Sequence, residues 1–342
     1  MKLTKVIYSF FATIIIGIEI DNKFCYITVK TYKRGKLIDS YTKEFKTDLG
    51  ELPISAINFI NKIQSKKPFT YITTLSSSIV QGIIHAQNQS QFIKYGVNVK
   101  EVEARKIDNW FVYVSKEDIL ETKKKFSKVG VDFIISPFLI LYTLTKDFIK
   151  DNKGSCKLYL LFQKSNITMI VATGDCKVLF GAYYVLESGI DAVINTIKDP
   201  LSHDLEGMER VEIVKDIEDR LTSFSESEDE LDDELIKSLK GDTKEESHAP
   251  AKQQSFDDFM RISYAVRAIQ SAISEFYNNE IYDREFIHGI VIFNPHKIEE
   301  EVLMHIQNTM MLDIEIVPTN VSEIVADLGY ESYLFCQERK VV

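Results

Sequence analysis

The 342-residue chain carries 41 Lys and Arg against 51 Asp and Glu, a formal net charge of −10, and 45% of it is hydrophobic. That much apolar material builds a core and excludes wholesale disorder, while 14 Gly and 7 Pro exclude a collagen-like or loop-dominated chain. The acidic balance argues against a nucleic-acid partner, which needs a basic footprint, and the length predicts one large domain or two ordinary ones.

Lys2 and Lys5 precede an apolar run from Val6 to Ile20 that imitates a signal peptide. No small-residue cleavage site follows it, and the run is too short to span a bilayer comfortably. It reads as an amphipathic lead, Met1–Ala12, entering a buried strand, Ile14–Ile20. Strands Phe24–Lys33 and Leu37–Phe45 follow, with turns at Asp21-Asn22-Lys23 and Arg34-Gly35-Lys36. The apolar spacing of Leu52–Gln64 predicts a helix, and Phe69–Leu75 a fourth strand. About 76–136 reads as a smaller α+β segment. Within it Trp110–Val114 is a strand, and Ser115-Lys116-Glu117-Asp118 is a capping box opening a helix that stops near Gly130. Val131–Ile135 then reads as a strand and Pro137–Phe148 as an apolar helix.

The theme then repeats roughly 140 residues on, as an internal duplication would. Lys157–Phe162, Asn166–Ala172 and Lys177–Leu186 form a second three-strand meander. Residues 223–254 are of low complexity and hold an acidic block, Glu226, Glu228, Asp229, Glu230, Asp232, Asp233 and Glu234. The block reads as a disordered insertion, either simply solvated or a tail for a basic partner. Ser255-Phe256-Asp257-Asp258 caps a helix carrying Phe259, Ile262, Val266, Ile269, Ile273 and Phe276. Ile287–Phe293 is a strand, Lys297–Met311 a helix and Ile314–Val317 a strand. Asn320 caps a short helix ending at Gly329, and Ser332–Phe335 is a last short strand. The predicted fold class is α/β in two halves, 1–150 and 151–342.

Chemistry-bearing patterns are sparse. Cys25, Cys156, Cys176 and Cys336 form no CxxC pair and read as reduced, packed thiols of a cytosolic protein; the histidines are equally scattered. There is no GxSxG elbow, HExxH helix, P-loop or GxGxxG turn. Glu19 and Asp21 would suit the metal carboxylates of an RNase H-like nuclease only with further carboxylates on other strands.

A twice-repeated meander, helix and strand resembles the actin-like fold, two RNase H-like lobes with a small α+β insertion in the first. More specifically the chain resembles the PilM family of type IV pilus assembly proteins. It is also similar to the cytoplasmic part of GspL of type II secretion and, more distantly, to FtsA. The likeness rests on Ile15-Ile16-Gly17-Ile18-Glu19-Ile20, where the family's opening strand usually reads hydrophobic-Gly-hydrophobic-Asp-hydrophobic-Gly. It rests also on Phe111–Glu117, Lys128–Val131, Ile135–Phe138 and Gly289–Phe293. In actin-like ATPases the turns after the first strand of each half cradle phosphates, which requires Gly for close backbone approach. Here Glu19 stands at the usual Asp position, and Asp21-Asn22-Lys23-Phe24 has no Gly. Gln163-Lys164-Ser165 has lost both Asp and Gly, and Asn294-Pro295-His296 replaces a Gly-rich adenosine loop. The resemblance therefore implies degenerate nucleotide loops at Glu19, Asp21, Asn22, Gln163, Ser165, Asn294 and Pro295. No cofactor, metal or catalytic residue is expected, although Lys23 and Lys164 could offer charge to a phosphate.

The resemblance implies a non-catalytic adaptor at the cytoplasmic face of the inner membrane. It would hold the cytoplasmic N-terminal tail of a PilN-like single-pass inner-membrane protein in a groove between the first lobe and the inserted segment. Ring-like self-association would serve a flagellar-motor scaffold, a type IV pilus or a secretion system, with the composition favouring a motility machine. The alternatives are an ATP-binding assembly factor of a pilus or type II secretion system, an FtsA-like polymer, and the nuclease.

Overall fold

A computed structural model describes residues 12–21, 23–47, 51–151, 154–186, 249–295 and 306–339. The chain divides into two compact units, Met1–Leu186 with Ile262–Val342, and Glu187–Arg261. All elements below lie in the first, except the start of one helix.

The first sheet opens with β1 (Thr13–Ile20), β2 (Phe24–Lys33) and β3 (Lys36–Lys46), joined as an antiparallel meander. The β2–β3 turn has positive φ at both Arg34 (52°) and Gly35 (79°), the backbone of a type I′ hairpin whose twist matches the strands it joins. Helix α1 (Ile54–Lys66) carries the chain across to β4 (Thr70–Leu75), which pairs with β1 in parallel. Central β1 is buried on both faces, as its unbroken apolar run requires. Ile14, Ile16 and Ile18 pack with Ile27, Ala56 and Ile60, while Ile15 faces Tyr32 and Ala326.

A smaller antiparallel sheet interrupts this lobe. Its strands are β5 (Gln81–Ile84), β6 (Val102–Ile107) and β7 (Trp110–Ser115), in the order β5-β7-β6. A 3₁₀ helix, Gln89–Tyr95, lies between β5 and β6. Helix α2 (Lys116–Lys125) is capped by Ser115, whose Oγ accepts the Asp118 N–H at 3.4 Å. It ends at Lys125 rather than near Gly130, and Gly130 closes the turn that follows with φ of 79°. Strand β8 (Phe133–Ile135) completes the first sheet in the order β3-β2-β1-β4-β8. Helix α3 (Pro137–Asp151) then leaves for the second lobe.

That lobe repeats the plan. Strands β9 (Lys157–Phe162), β10 (Asn166–Ala172) and β11 (Val178–Val185) form the meander. Helix α4 (Ala249–Asn278) leads to β12 (Gly289–Asn294), which lies parallel to β9 and, on its other side, to β13 (Asp313–Pro318). The order β11-β10-β9-β12-β13 reproduces that of the first sheet. Helix α4 begins at Ala249, upstream of the Ser255 capping box and inside the stretch expected to be disordered; residues 223–248, with the acidic block, lie outside the described residues. So do the lead over 1–11 and most of the expected helix over 297–311, of which 306–310 are helical.

The last helix corrects the sequence reading most. Helix α5 (Val321–Arg339) runs unbroken through Gly329 and through Ser332–Phe335, read above as a stop and a strand. Gly329 is interior because a Cβ there would sit 2.1 Å from Thr73 Oγ1. The two lobes exchange closing helices. Helix α3 buries Phe138 and Leu141 in one core with Tyr159, Leu161 and Ile170, and α5 adds Val321 and Val325 to it. Helix α5 otherwise lies on the first sheet, where Lys30, nearly fully buried on β2, bonds Asp327 Oδ1 and Oδ2 at 2.7 and 2.8 Å and Glu323 at 3.1 Å. Removing one partner of a buried pair strands the other charge, whereas replacing both by apolar groups is nearly neutral. Glu323→Ala/Asp327→Ala, which removes both carboxylates from Lys30, is therefore expected to cost about 2 kcal/mol, discounted for the half-exposure of the two acids. The Lys30→Met/Asp327→Leu double variant should lose less than half of that in urea unfolding.

Candidate functional site

The turns expected to be degenerate phosphate loops meet directly. Asp21 Oδ1 accepts the backbone N–H of Lys23 at 2.7 Å and of Phe24 at 3.2 Å, and the Asp21 N–H bonds the Phe24 carbonyl at 2.9 Å. These N–H groups are the kind that would cradle a phosphate, and here the turn's own carboxylate takes them. In the facing turn, the Gln163 N–H bonds the Asn166 carbonyl at 3.0 Å. Gln163 Nε2 donates to Glu19 Oε1 at 3.1 Å, joining residues 144 apart in sequence. Lys164 Nζ lies 3.5 Å from Asp21 Oδ2 and over the Phe24 ring at 5.5 Å. Lys164 is thus paired with Asp21. Lys23 contributes its backbone to the Asp21 turn.

Glu19, Asp21 and Gln163 are all buried. Burial pushes the Glu19 carboxyl up to about 7, and the neighbouring Asp21 charge adds to the shift; the Gln163 amide, the Ser322 backbone N–H and Lys164 oppose it. Gln163 Oε1 is buried with no hydrogen-bond partner. Ser322 comes from the first turn of α5, where Asn320 Oδ1 accepts the Glu323 N–H at 3.2 Å and the Ser322 hydroxyl at 2.9 Å. The helix start that fixes Ser322 is thus a built cap.

Ser165 and Asn294 are held by backbone bonds of their own. Ser165 accepts the Leu186 N–H on its carbonyl at 2.7 Å and the Asn166 amide on its Oγ at 3.2 Å. Asn294 ends β12, and its carbonyl accepts the Thr319 N–H at 3.0 Å, just ahead of α5. Pro295 follows it in a bend. Asn22 lies outside the described residues. No third acidic, histidine or cysteine side chain joins Glu19 and Asp21 as a metal-binding group among the described residues. Cys25 and Cys156 are buried, but Cys336 is exposed rather than packed.

The resemblance implied a groove between the first lobe and the inserted segment, with no residues named for its walls. An open groove of about 450 Å³ lies between β6 and α5, lined by Ala104, Arg105, Lys106, Phe335 and Arg339. Among the described strands β6 pairs with β7 alone. The Lys116 N–H donates to the Glu101 carbonyl at 2.9 Å, and the register sets Glu103 opposite Val114 and Arg105 opposite Val112. Exchanged bonds recur at every second pair of an antiparallel ladder. Glu103, Arg105 and Ile107 therefore direct their N–H and C=O groups at β7, while Val102, Ala104 and Lys106 turn theirs outward.

Comparison with known proteins places the chain. A family model described as Domain of unknown function (DUF8341) matches residues 158–333, more than half of the sequence. The chain belongs to the DUF8341 family. In this DUF8341 member a second model, Domain of unknown function (DUF8569), matches residues 10–142. No curated protein matches it. Among solved structures it is similar to a PilM-PilN type IV pilus biogenesis complex, at 11% identity and a TM-score of 0.53, over 92% of this chain and 98% of that one. A protein with actin-like ATPase fold and unknown function from Bacteroides thetaiotaomicron VPI-5482 matches at 10% identity and a TM-score of 0.46, over 92% and 95%. The ethanolamine utilization protein EutJ from Carboxydothermus hydrogenoformans matches at 8% identity and 0.39, over 93% and 88%. At such identities the likeness is one of fold: this DUF8341 chain has the actin-like fold, two RNase H-like lobes with a small insertion in the first.

Proposed function

We propose that the chain is a non-catalytic actin-like scaffold that holds an extended peptide segment against the open edge of β6. The observation that carries this reading is the outward-facing backbone of Ala104 and Lys106 beside the half-exposed ring of Phe335. An added strand gains main-chain hydrogen bonds at such an edge and specificity from alternate side chains. The partner we favour is a PilN-like single-pass inner-membrane protein presenting its cytoplasmic N-terminal tail. The pairing named in the PilM-PilN complex supports this choice. The scaffold would then sit peripherally at the inner membrane, as part of a motility machine such as a flagellar motor or a type IV pilus, and associate with copies of itself. Among the described residues no helix is long and apolar enough to cross a membrane, which accords with peripheral attachment.

The cleft supports a role without nucleotide turnover. The Asp21 carboxylate occupies turn N–H groups, and Gln163 and Lys164 reach across to Glu19 and Asp21. A nucleotide phosphate would have to displace all of these contacts. Titration calorimetry should therefore give no saturable heat with millimolar MgATP; clear saturation would favour an ATP-binding assembly factor of a pilus or type II secretion system.

Ala104→Pro tests the groove itself. Proline at an edge-strand residue whose N–H points outward removes that donor and leaves the ladder intact. It should release the partner tail about tenfold more readily, the upper range for one hydrogen bond, with unfolding unchanged. Co-purification of the full chain from crosslinked membranes supplies the partner. Recovery of soluble proteins alone, or equal retention by the proline variant, would sink the proposal.

A further inference from the structure

The groove has a charge that the chain as a whole lacks. The Phe335 ring carries the Arg105 guanidinium 5.1 Å from its centroid and the Arg339 guanidinium 4.4 Å from it. Lys106 lines the same groove and reaches the Gln87 carbonyl at 3.3 Å. Among the described residues neither arginine forms an ion pair with a carboxylate, although the chain carries 51 acidic side chains. Two like charges on one ring repel each other, and the ring faces answer only part of their charge. A carboxylate beside the ring would offer these planar donors two charged acceptor oxygens, where a neutral amide offers one uncharged oxygen and an ammonium none.

We propose that the groove selects an acidic segment, an extended peptide with Asp or Glu placed directly opposite Arg105. This deepens the peptide-holding role above and rests on it. The pleat gives the geometry. Side chains of an added strand point to the same face as the residues they oppose. The residue opposite Arg105 therefore stands on the Arg105–Phe335 side, where its carboxylate meets Arg105 beside the ring. Its two neighbours point to the other face, towards the small sheet's core that takes Ala104. Peptide is favoured over an anionic lipid surface because the same edge presents outward carbonyls alternating with N–H groups, and a headgroup phosphate, which only accepts, leaves those carbonyls unanswered.

Labelled octapeptides of alternating Val and Glu, Val and Gln, or Val and Lys test this against the full chain by fluorescence anisotropy. The Glu peptide should bind at least tenfold more tightly than the Gln peptide, and the Lys peptide most weakly. The Glu advantage should vanish in Arg105→Gln/Arg339→Gln and shrink at high salt, while Ala104→Pro should weaken the Glu and Gln peptides alike. Both arginines are exposed, so these variants keep the fold. Equal binding of Glu and Gln peptides, lost in Ala104→Pro, would overturn the acidic preference and leave the peptide-holding role standing. Binding insensitive to Ala104→Pro, or binding of no peptide, would overturn both. Sedimentation with phosphatidylglycerol vesicles that depends on the arginines, without discrimination among peptides, would assign the charge to a lipid surface and overturn the proposal.

Discussion

Gly17→Ala is expected to lower the stability of the chain by roughly 3 kcal/mol, the upper end for overpacking, and to shift its urea midpoint accordingly. A Cβ at Gly17 would lie 2.3 Å from the Ser322 carbonyl oxygen, 2.6 Å from the Ala326 nitrogen and 2.8 Å from the Ala326 Cβ. The first two are backbone atoms of α5, so no side chain can swing aside, and β1 is held on both flanks by β2 and β4. The helix must lift instead. Helix α5 carries the Ser322 N–H to Glu19, Asp327 to Lys30, and Phe335 and Arg339 to the groove. Lifting it loosens three places at once. The variant should therefore also lose capture of the Val-Glu peptide under conditions where it is still folded by circular dichroism. An unchanged midpoint would mean that the helix does not lie on β1.

How much of this was legible in sequence follows from where each element sits. Strands β1, β2, β9 and β10 are central, so burial writes them as apolar or alternating runs, and their bounds were readable within a residue or so. Strand β6 was not readable. Its sequence, Val-Glu-Ala-Arg-Lys-Ile, has its charges on an exposed edge, and the bond pattern that defines it comes from β7. Helix α5 was misread for a related reason. Gly329 looks like a stop because glycine usually ends helices, but its role is to admit Thr73, and that contact spans 256 positions (329 less 73). Tyr333, Leu334 and Phe335 carry strand propensity that tertiary packing overrides.

The candidate site divides along the same line. Glu19, Asp21 and Gln163 could be named in advance because the resemblance sets a turn after the first strand of each half, and turns are local. The pairing of Lys164 with Asp21 and the approach of Ser322 to Glu19 depend on how one lobe's turn and the other lobe's closing helix reach the first strand, which nothing local encodes. The groove shows the same limit. Arg105 and Phe335 are unremarkable surface residues until the fold stacks one on the other.

The buried Glu19 carboxyl gives the cleft a pH signature. Its folded value stands near 7 against 4.5 for the unconstrained side chain, so between those values the folded chain holds a proton that the unfolded chain has released. Stability then falls as pH rises through that window and levels off above 7. The span corresponds to roughly 3 kcal/mol at about 1.4 kcal/mol per pH unit. Glu19→Gln keeps an acceptor for the Gln163 amide and the Ser322 N–H but cannot ionise. It should match the parent near pH 4 and exceed it by up to about 3 kcal/mol at pH 8. The reading is the difference between the two unfolding curves, which cancels the many surface groups common to both. A flat difference from pH 4.5 to 7 would mean that water already reaches Glu19. The turns would then not be closed on each other, and the phosphate position would be open to a ligand. A slope would mean that the cleft is sealed by its own side chains, and a nucleotide would then have to open that seal before it could bind.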